Sequence, residues 1–270
     1  MNIYTVVQQS LEKLSTHCDV GLLEPGVWPS YHFHCTIPLI GRLVFVWALL
    51  AYLIPPAKSV AFKAILRAVM AVWNVFQALL STVGSVVLVP VVVRLLSTYT
   101  SNPWNAVCHP VDLTPHQMSY VLLFILLKPV ELIDTIFLRL KGKPLTFLHV
   151  FHHGTVAFYC WHAASTTGNI SFGVFLATMN YVVHAIMYGY YYAKTMGVPT
   201  PSFVPLFITV IQIIQMIFGF VLTLSTFNCG DSMNSSNRNF GLFIYSSYFV
   251  LFVMYAIERY ATPKSTAKEE

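Results

Sequence analysis

The sequence predicts an all-α integral membrane protein of seven transmembrane helices, on three observations. Of the 270 residues, 56% are hydrophobic and 9% charged, against about 25% charged in soluble globular chains. The apolar residues gather into seven long runs. A hydrocarbon core of about 30 Å needs roughly 20 helical residues per crossing, so a chain of this length has room for about six to eight spans.

In order, the first run, Ile37 to Ile54, stops at Pro55-Pro56. The second, Phe62 to Val93, is longer than one perpendicular crossing, so it tilts or continues past Pro90. The third, Gln117 to Leu140, ends at Lys141-Gly142-Lys143-Pro144 and reads as one continuous helix. Leu145 to Ala164 and Phe172 to Ala193 follow, the latter closed by Gly197-Val198-Pro199. Phe203 to Thr226 and Phe240 to Tyr260 complete the set. The chain thus divides into an N-terminal segment (1–36), a seven-helix domain (37–260) and a short tail (261–270). Glu12 and Asp19 interrupt the first of these, which does not read as a cleaved signal peptide.

Seven spans place the termini on opposite sides, and the positive-inside rule sets which is which. With a cytosolic C-terminus, Lys58, Lys63, Arg67, Arg139, Lys141, Lys143, Lys194, Arg259, Lys264 and Lys268 lie at cytosolic ends. Lys13, Arg42, Arg94 and Arg238 fall on the lumenal side, and Lys128 lies inside a span, a bias of ten to four. The sequons at Asn169 and Asn234 and the pair Cys108 and Cys229 also fall on the lumenal side, where glycosylation and disulfides can occur. The five cysteines show neither CxxC nor zinc-like spacing. The net charge of +5 is spread over short loops rather than a basic stripe, which argues against nucleic acid.

Ionisable side chains in hydrocarbon cost several kcal/mol and are kept for a function or a partner. Here Lys128, Glu131, Asp134 and Thr135 share one face of the third run, and His149, His152 and His153 open the fourth. The fifth holds Asn180, His184, Tyr188 and Tyr191, the sixth Thr209, Gln212 and Gln215, and the second Asn74 and Gln77. At about 1.5 Å per residue from the cytosolic ends, the histidine cluster lies about 6–12 Å deep, His184 about 15 Å, and the acidic and glutamine groups about 9–18 Å. Five helices therefore contribute to one polar layer near the cytosol. Lys128, Glu131 and Asp134 fit a structural ion network as well as a catalytic one, and the amides fit interhelical glue.

Histidines at i, i+3 and i+4 can hold a metal, or act as nucleophile and general base. A di-iron desaturase or hydroxylase needs about eight histidines. The remaining six, His17, His32, His34, His109, His116 and His162, fall on the lumenal side, so that reading lacks ligands. A seven-helix receptor or transporter accounts for the spans and the ion network but not for an HxxHH cluster at the cytosolic end.

Four ordered motifs resemble the fatty-acid elongase (ELO) family: Lys128-Pro-Val-Glu131-Leu-Ile-Asp134-Thr135, His149-Val-Phe-His152-His153, Met179-Asn180-Tyr181 through His184 to Tyr188 and Tyr191, and Thr209 through Gln212 to Gln215. The resemblance implies a seven-helix fold enclosing an acyl-chain tunnel, in the endoplasmic reticulum membrane. It implies a very-long-chain 3-oxoacyl-CoA synthase, an acyltransferase that condenses long-chain acyl-CoA with malonyl-CoA and releases carbon dioxide and CoA. Asn180-Tyr181 resembles the branch that acts on saturated and monounsaturated chains. No cofactor or metal is expected. The partners it admits are the two CoA substrates, membrane lipid, other elongation-cycle enzymes and a second copy of the chain. Chemically, His152 is the expected nucleophile, with His149 and His153 orienting it or moving its proton and His184 steadying an oxyanion. Glu131 and Asp134 are expected to fix histidine tautomers, and Lys128 to balance them or meet CoA phosphates. Asn180, Tyr188, Tyr191, Gln212 and Gln215 complete the expected substrate site.

Overall fold

In lipid no water meets backbone amides, so an apolar run closes its hydrogen bonds within itself as a helix. The computed structural model describes residues 3–16, 18, 28–166, 171–232 and 234–261, and among them there are helices and no strand. The α-helices are α1 (Ile3–Leu14), α2 (Ser30–Ala51), α3 (Val60–Thr98), α4 (Pro115–Val130), α5 (Ile133–Leu140), α6 (Phe147–Thr166), α7 (Ser171–Met196), α8 (Val204–Ser225) and α9 (Ser235–Ala256). Five helical stretches are long and apolar enough to cross a membrane: Ser30–Ala51, Val60–Thr98, Ser171–Met196, Val204–Gly230 and Ser235–Ala261. The chain is a multi-pass membrane protein. The other two expected spans differ from these: α6 carries four histidines, and the third run is broken.

That break corrects the sequence reading of one continuous helix from Gln117 to Leu140. Pro129 has no N–H to bond the carbonyl four residues back. The chain turns at Glu131 and Leu132, with the amide of Leu132 bonded to the carbonyl of Pro129, and starts again as α5. Glu131 therefore sits in the gap between two helices rather than on a helix face. The second run behaves as its length suggested, since α3 continues unbroken through Pro90.

Helices in a bilayer gain little from excluding water from one another, so close van der Waals packing on small residues holds them together. The main pairs are α3 on α7, α2 on α6 and α8 on α9. At Gly84 of α3, the Tyr181 ring of α7 lies so near that a Cβ would sit 2.7 Å from it. The Tyr181 hydroxyl then crosses to the Tyr120 carbonyl of α4, at 2.8 Å. The N-terminal segment is partly helical: α1 lays Tyr4, Val7 and Leu11, one face at helical spacing, into the core and packs on α4.

The bundle has two unlike ends. At one, the Ala57 amide bonds the Leu140 carbonyl at 2.9 Å, Arg139 reaches the Tyr52 carbonyl at 3.2 Å, and Arg67 reaches the Thr195 carbonyl at 2.7 Å. This is the basic end. At the other, Cys108 is bridged to Cys229, and Ser171 bonds the His109 carbonyl. A second disulfide there, Cys18–Cys35, has no signature in the spacing of the cysteines. Asn234 caps α9 by accepting from the Asn237 amide at 3.2 Å, whereas Asn169, His17 and residues 262–270 lie outside the described residues.

Candidate active site

The polar layer gathers where the break in the third run faces α3, α6 and α7. Lys128, in the last turn of α4, is 2% exposed and donates to Glu131 Oε1 at 2.8 Å, Glu131 Oε2 at 2.9 Å and Asn180 Oδ1 of α7 at 2.9 Å. Its nitrogen also lies 4.5 Å from the centre of the Phe124 ring. The three hydrogens of this buried ammonium are thus all bonded within the protein, and its charge is balanced by the Glu131 carboxylate. Asn180 is likewise held by Lys128, although it also lines the adjoining cavity.

Asp134 falls in the first turn of α5, where a carboxylate is favoured by the exposed amides of a helix start. It contacts no histidine in the hydrogen-bonding pattern. Its Oδ1 accepts from the Trp73 indole of α3 at 2.7 Å and its Oδ2 from the Tyr188 hydroxyl of α7 at 2.5 Å. The hydroxyl of Thr135, in contrast, is 2.8 Å from His149 Nε2. Glu131 comes nearest to a histidine at His184 Nδ1, 3.8 Å from Oε1.

The four histidines are neighbours. The rings of His149 and His153 have centroids 4.3 Å apart, and those of His152 and His153 5.6 Å. His184, on α7, packs edge-on against Tyr188 at 5.3 Å. Tyr248 of α9 lies 4.6 Å from the His152 ring, and its hydroxyl bonds Thr155 at 2.6 Å and the His152 carbonyl at 3.3 Å. The Nδ1 atoms of His152 and His153 are buried without a protein partner. No three His, Cys, Asp or Glu side chains among the described residues converge to hold a metal ion.

Between α4, α6, α7, α8 and α9 lies a narrow, mostly apolar cavity of about 70 Å³. His152, Asn180 and Gln215 line it near the polar layer, and Trp28 and Phe172 line it at the bridged end. Gln215 is buried, whereas Gln212 lies on the same helix half-buried and within 3.4 Å of Met187 Sδ. Tyr191 is 42% exposed and touches only the rim of the layer through the Tyr188 ring, 6.0 Å away. The remaining described histidines, His32, His34, His109, His116 and His162, stand toward the bridged end.

Sequence reasoning missed Trp73, Tyr248 and Trp28. None carries a motif signal: Trp73 and Tyr248 lie inside apolar runs, where aromatic rings are ordinary, and Trp28 precedes the first run.

The chain matches the family model "ELO: GNS1/SUR4 family" over residues 32–268. It is similar to very long chain fatty acid elongase 6 of Drosophila melanogaster, 35% identical over 209 residues, which are 73% of this chain and 64% of that protein. Fatty acid elongase 2 of Trypanosoma cruzi is 33% identical over 247 residues, 83% of this chain and 85% of the relative. Very long chain fatty acid elongase 3 of Homo sapiens is 36% identical over 151 residues, 54% of each. The chain thus spans about half to two thirds of the length of several curated relatives it matches.

Proposed function

The chain belongs to the ELO (GNS1/SUR4) family, and on that premise we propose that it is a fatty-acid elongase that condenses a long-chain acyl-CoA with malonyl-CoA. The observation that carries this reading is the position of His152: of the four clustered histidines it is the one that lines the apolar cavity, and its Nδ1 is buried without a partner. A reactive nitrogen at the head of a greasy cavity suits an acyl chain whose thioester stops at the ring.

In the first half-reaction an imidazole nitrogen of His152 attacks the thioester carbonyl. A C–N bond forms, the C–S bond breaks, and the CoA thiolate takes up the proton that the ring releases through His149 or His153. Thr135 bonds His149 Nε2 and so orients that ring within the cluster. In the second, malonyl-CoA loses carbon dioxide, and the electron pair stays as a thioester enolate. Its carbon attacks the acyl-imidazole, the C–N bond breaks, and the ring nitrogen takes from water the one proton that the overall condensation consumes. His184 faces the developing oxyanion. Neither half needs a cofactor, because decarboxylation supplies the carbon nucleophile.

The finer architecture belongs to the same proposal. Seven spans, counting α4 with α5 as one and α6 as another, put the basic end in the cytosol. The site then opens toward CoA in the cytosol, and Lys58, Lys141, Lys143 and Lys194 flank its mouth. Both disulfides at the opposite end support an oxidising lumen there, hence the endoplasmic reticulum. Asn180-Tyr181 supports the branch for saturated and monounsaturated chains.

Membranes holding the protein, given acyl-CoA and labelled malonyl-CoA, are expected to yield a product two carbons longer. Radioactive acyl-CoA alone should label the wild-type protein and the His184→Ala variant but not His152→Ala. Label on His152→Ala with none on His184→Ala would exchange the two roles, and extension without any labelled protein would replace the covalent route by a ternary one.

A further inference from the structure

A tyrosine from another helix lies against His152. Tyr248, on α9, is 2% exposed, and its ring centroid is 4.6 Å from that of the imidazole, at a tilt of 58°. Its hydroxyl end is anchored on α6 itself. The Thr155 hydroxyl donates to the Phe151 carbonyl four residues back, which uses its only hydrogen. The 2.6 Å contact between Thr155 and Tyr248 therefore takes its hydrogen from the phenol. The same phenol oxygen lies 3.3 Å from the carbonyl of His152. Tyr248 is thus tied to the helical turn that carries His152 and lays its ring against the imidazole of that residue.

Two further rings bound the imidazole. Phe252, one turn along α9 from Tyr248, meets it edge-on at 5.9 Å, and His153 meets it edge-on at 5.6 Å. Phe151 backs Tyr248 at 6.0 Å. An imidazole is loosely held about its second side-chain torsion, and a nucleophile that swings through that range is often misaimed. Rings packed on several sides narrow the swing, and the anchored phenol keeps the nearest of them in place. The carbonyls of Phe151 and His152 do not need this hydroxyl, since inside α6 each already has the amide four residues on. What the bond fixes is the place of the tyrosine ring.

We propose that Tyr248 is a positioning residue for the condensation, its anchored ring holding the His152 imidazole in the direction of attack on the thioester. The proposal rests on the elongase reading with His152 as the reacting residue. The test measures extension of a saturated acyl-CoA by labelled malonyl-CoA, and acyl label on the protein, with the full chain in membranes. Tyr248→Phe keeps the ring and removes the anchor, and Thr155→Val removes the same anchor from the other side. Each should lower the saturating rate of extension and the rate of labelling about tenfold, while the half-saturating acyl-CoA concentration moves less than about twofold, because misaiming acts on the chemical step. The double variant should be no slower than either single one, since both break one contact. Thr155→Ser, which keeps the hydroxyl, should restore the rate. If the two single variants extend at the wild-type rate, or weaken acyl-CoA binding with the saturating rate unchanged, Tyr248 is only a wall of the cavity and the proposal is overturned, while the elongase reading stands. Should wild type extend without taking label, the saturating extension rate decides in the same way. If wild type extends nothing, the elongase reading fails and the proposal falls with it.

Discussion

Lys128 and His152 are both buried groups able to carry charge, in one polar layer, yet their surroundings are opposite. Lys128 makes three hydrogen bonds to Glu131 and Asn180. His152 has a buried Nδ1 with no partner on the protein, beside an apolar cavity. Buried polar atoms are nearly always bonded, so an unpartnered one calls for an explanation, and chemistry on an incoming group is one. The contrast separates two kinds of ionisable residue that look alike in the sequence: those closed into a hydrogen-bonded network, and those left open beside a cavity.

The sharpest break of this contrast comes from replacing one residue of each kind. His152→Ala should lower the condensation rate by at least about a thousandfold while leaving thermal unfolding in detergent close to wild type. An unfolding midpoint that falls sharply with the activity would place His152 on the structural side. Lys128→Met should act the other way, through stability. It leaves Glu131 buried without its counter-charge, at a cost of about 3–5 kcal/mol. Adding Glu131→Gln to Lys128→Met removes the stranded charge and should recover most of the lost midpoint. No recovery would mean that Lys128 acts on the substrate after all.

Smaller effects sharpen the boundary between the two sets. Thr135→Val keeps the shape but removes the hydroxyl that bonds His149 Nε2. The turnover rate should fall about tenfold with little change in the apparent affinity for acyl-CoA, since loss of an orienting bond to a proton-transfer group acts on the chemical step. Thr135→Ser should restore it. The smallest is Tyr188→Phe, which strips one of two hydrogen bonds from Asp134 and leaves the Trp73 bond in place. It should cost about 1 kcal/mol of stability, read from the unfolding midpoint in detergent.

Much of the site is legible in the sequence because lipid penalises polarity. Each of His149, His152, His153, His184, Lys128, Glu131 and Asp134 stands out as an ionisable residue in an apolar run, and each lies in or beside the one layer of the fold. Pairings are less legible. Lys128 and Glu131 are neighbours in any helical reading, but the partners of Asp134 are Trp73 and Tyr188, which are remote in sequence and enter from α3 and α7. The break at Glu131 was written in Pro129. It was masked by the apolar residues on both sides, which read as one run.

By itself, then, the sequence determined the solvent of this protein, its helical class and which polar residues break its apolar runs. These follow from composition and from spacing along the chain, because the cost of a polar group in hydrocarbon is paid locally. Only the tertiary structure decided which of those groups are bonded and which are not, that Thr135 rather than a carboxylate bonds His149, and that Trp28 lines the cavity. Such facts depend on hydrogen bonds and packing between helices, and their distances and angles are fixed when the helices dock rather than by the order of residues along any one of them.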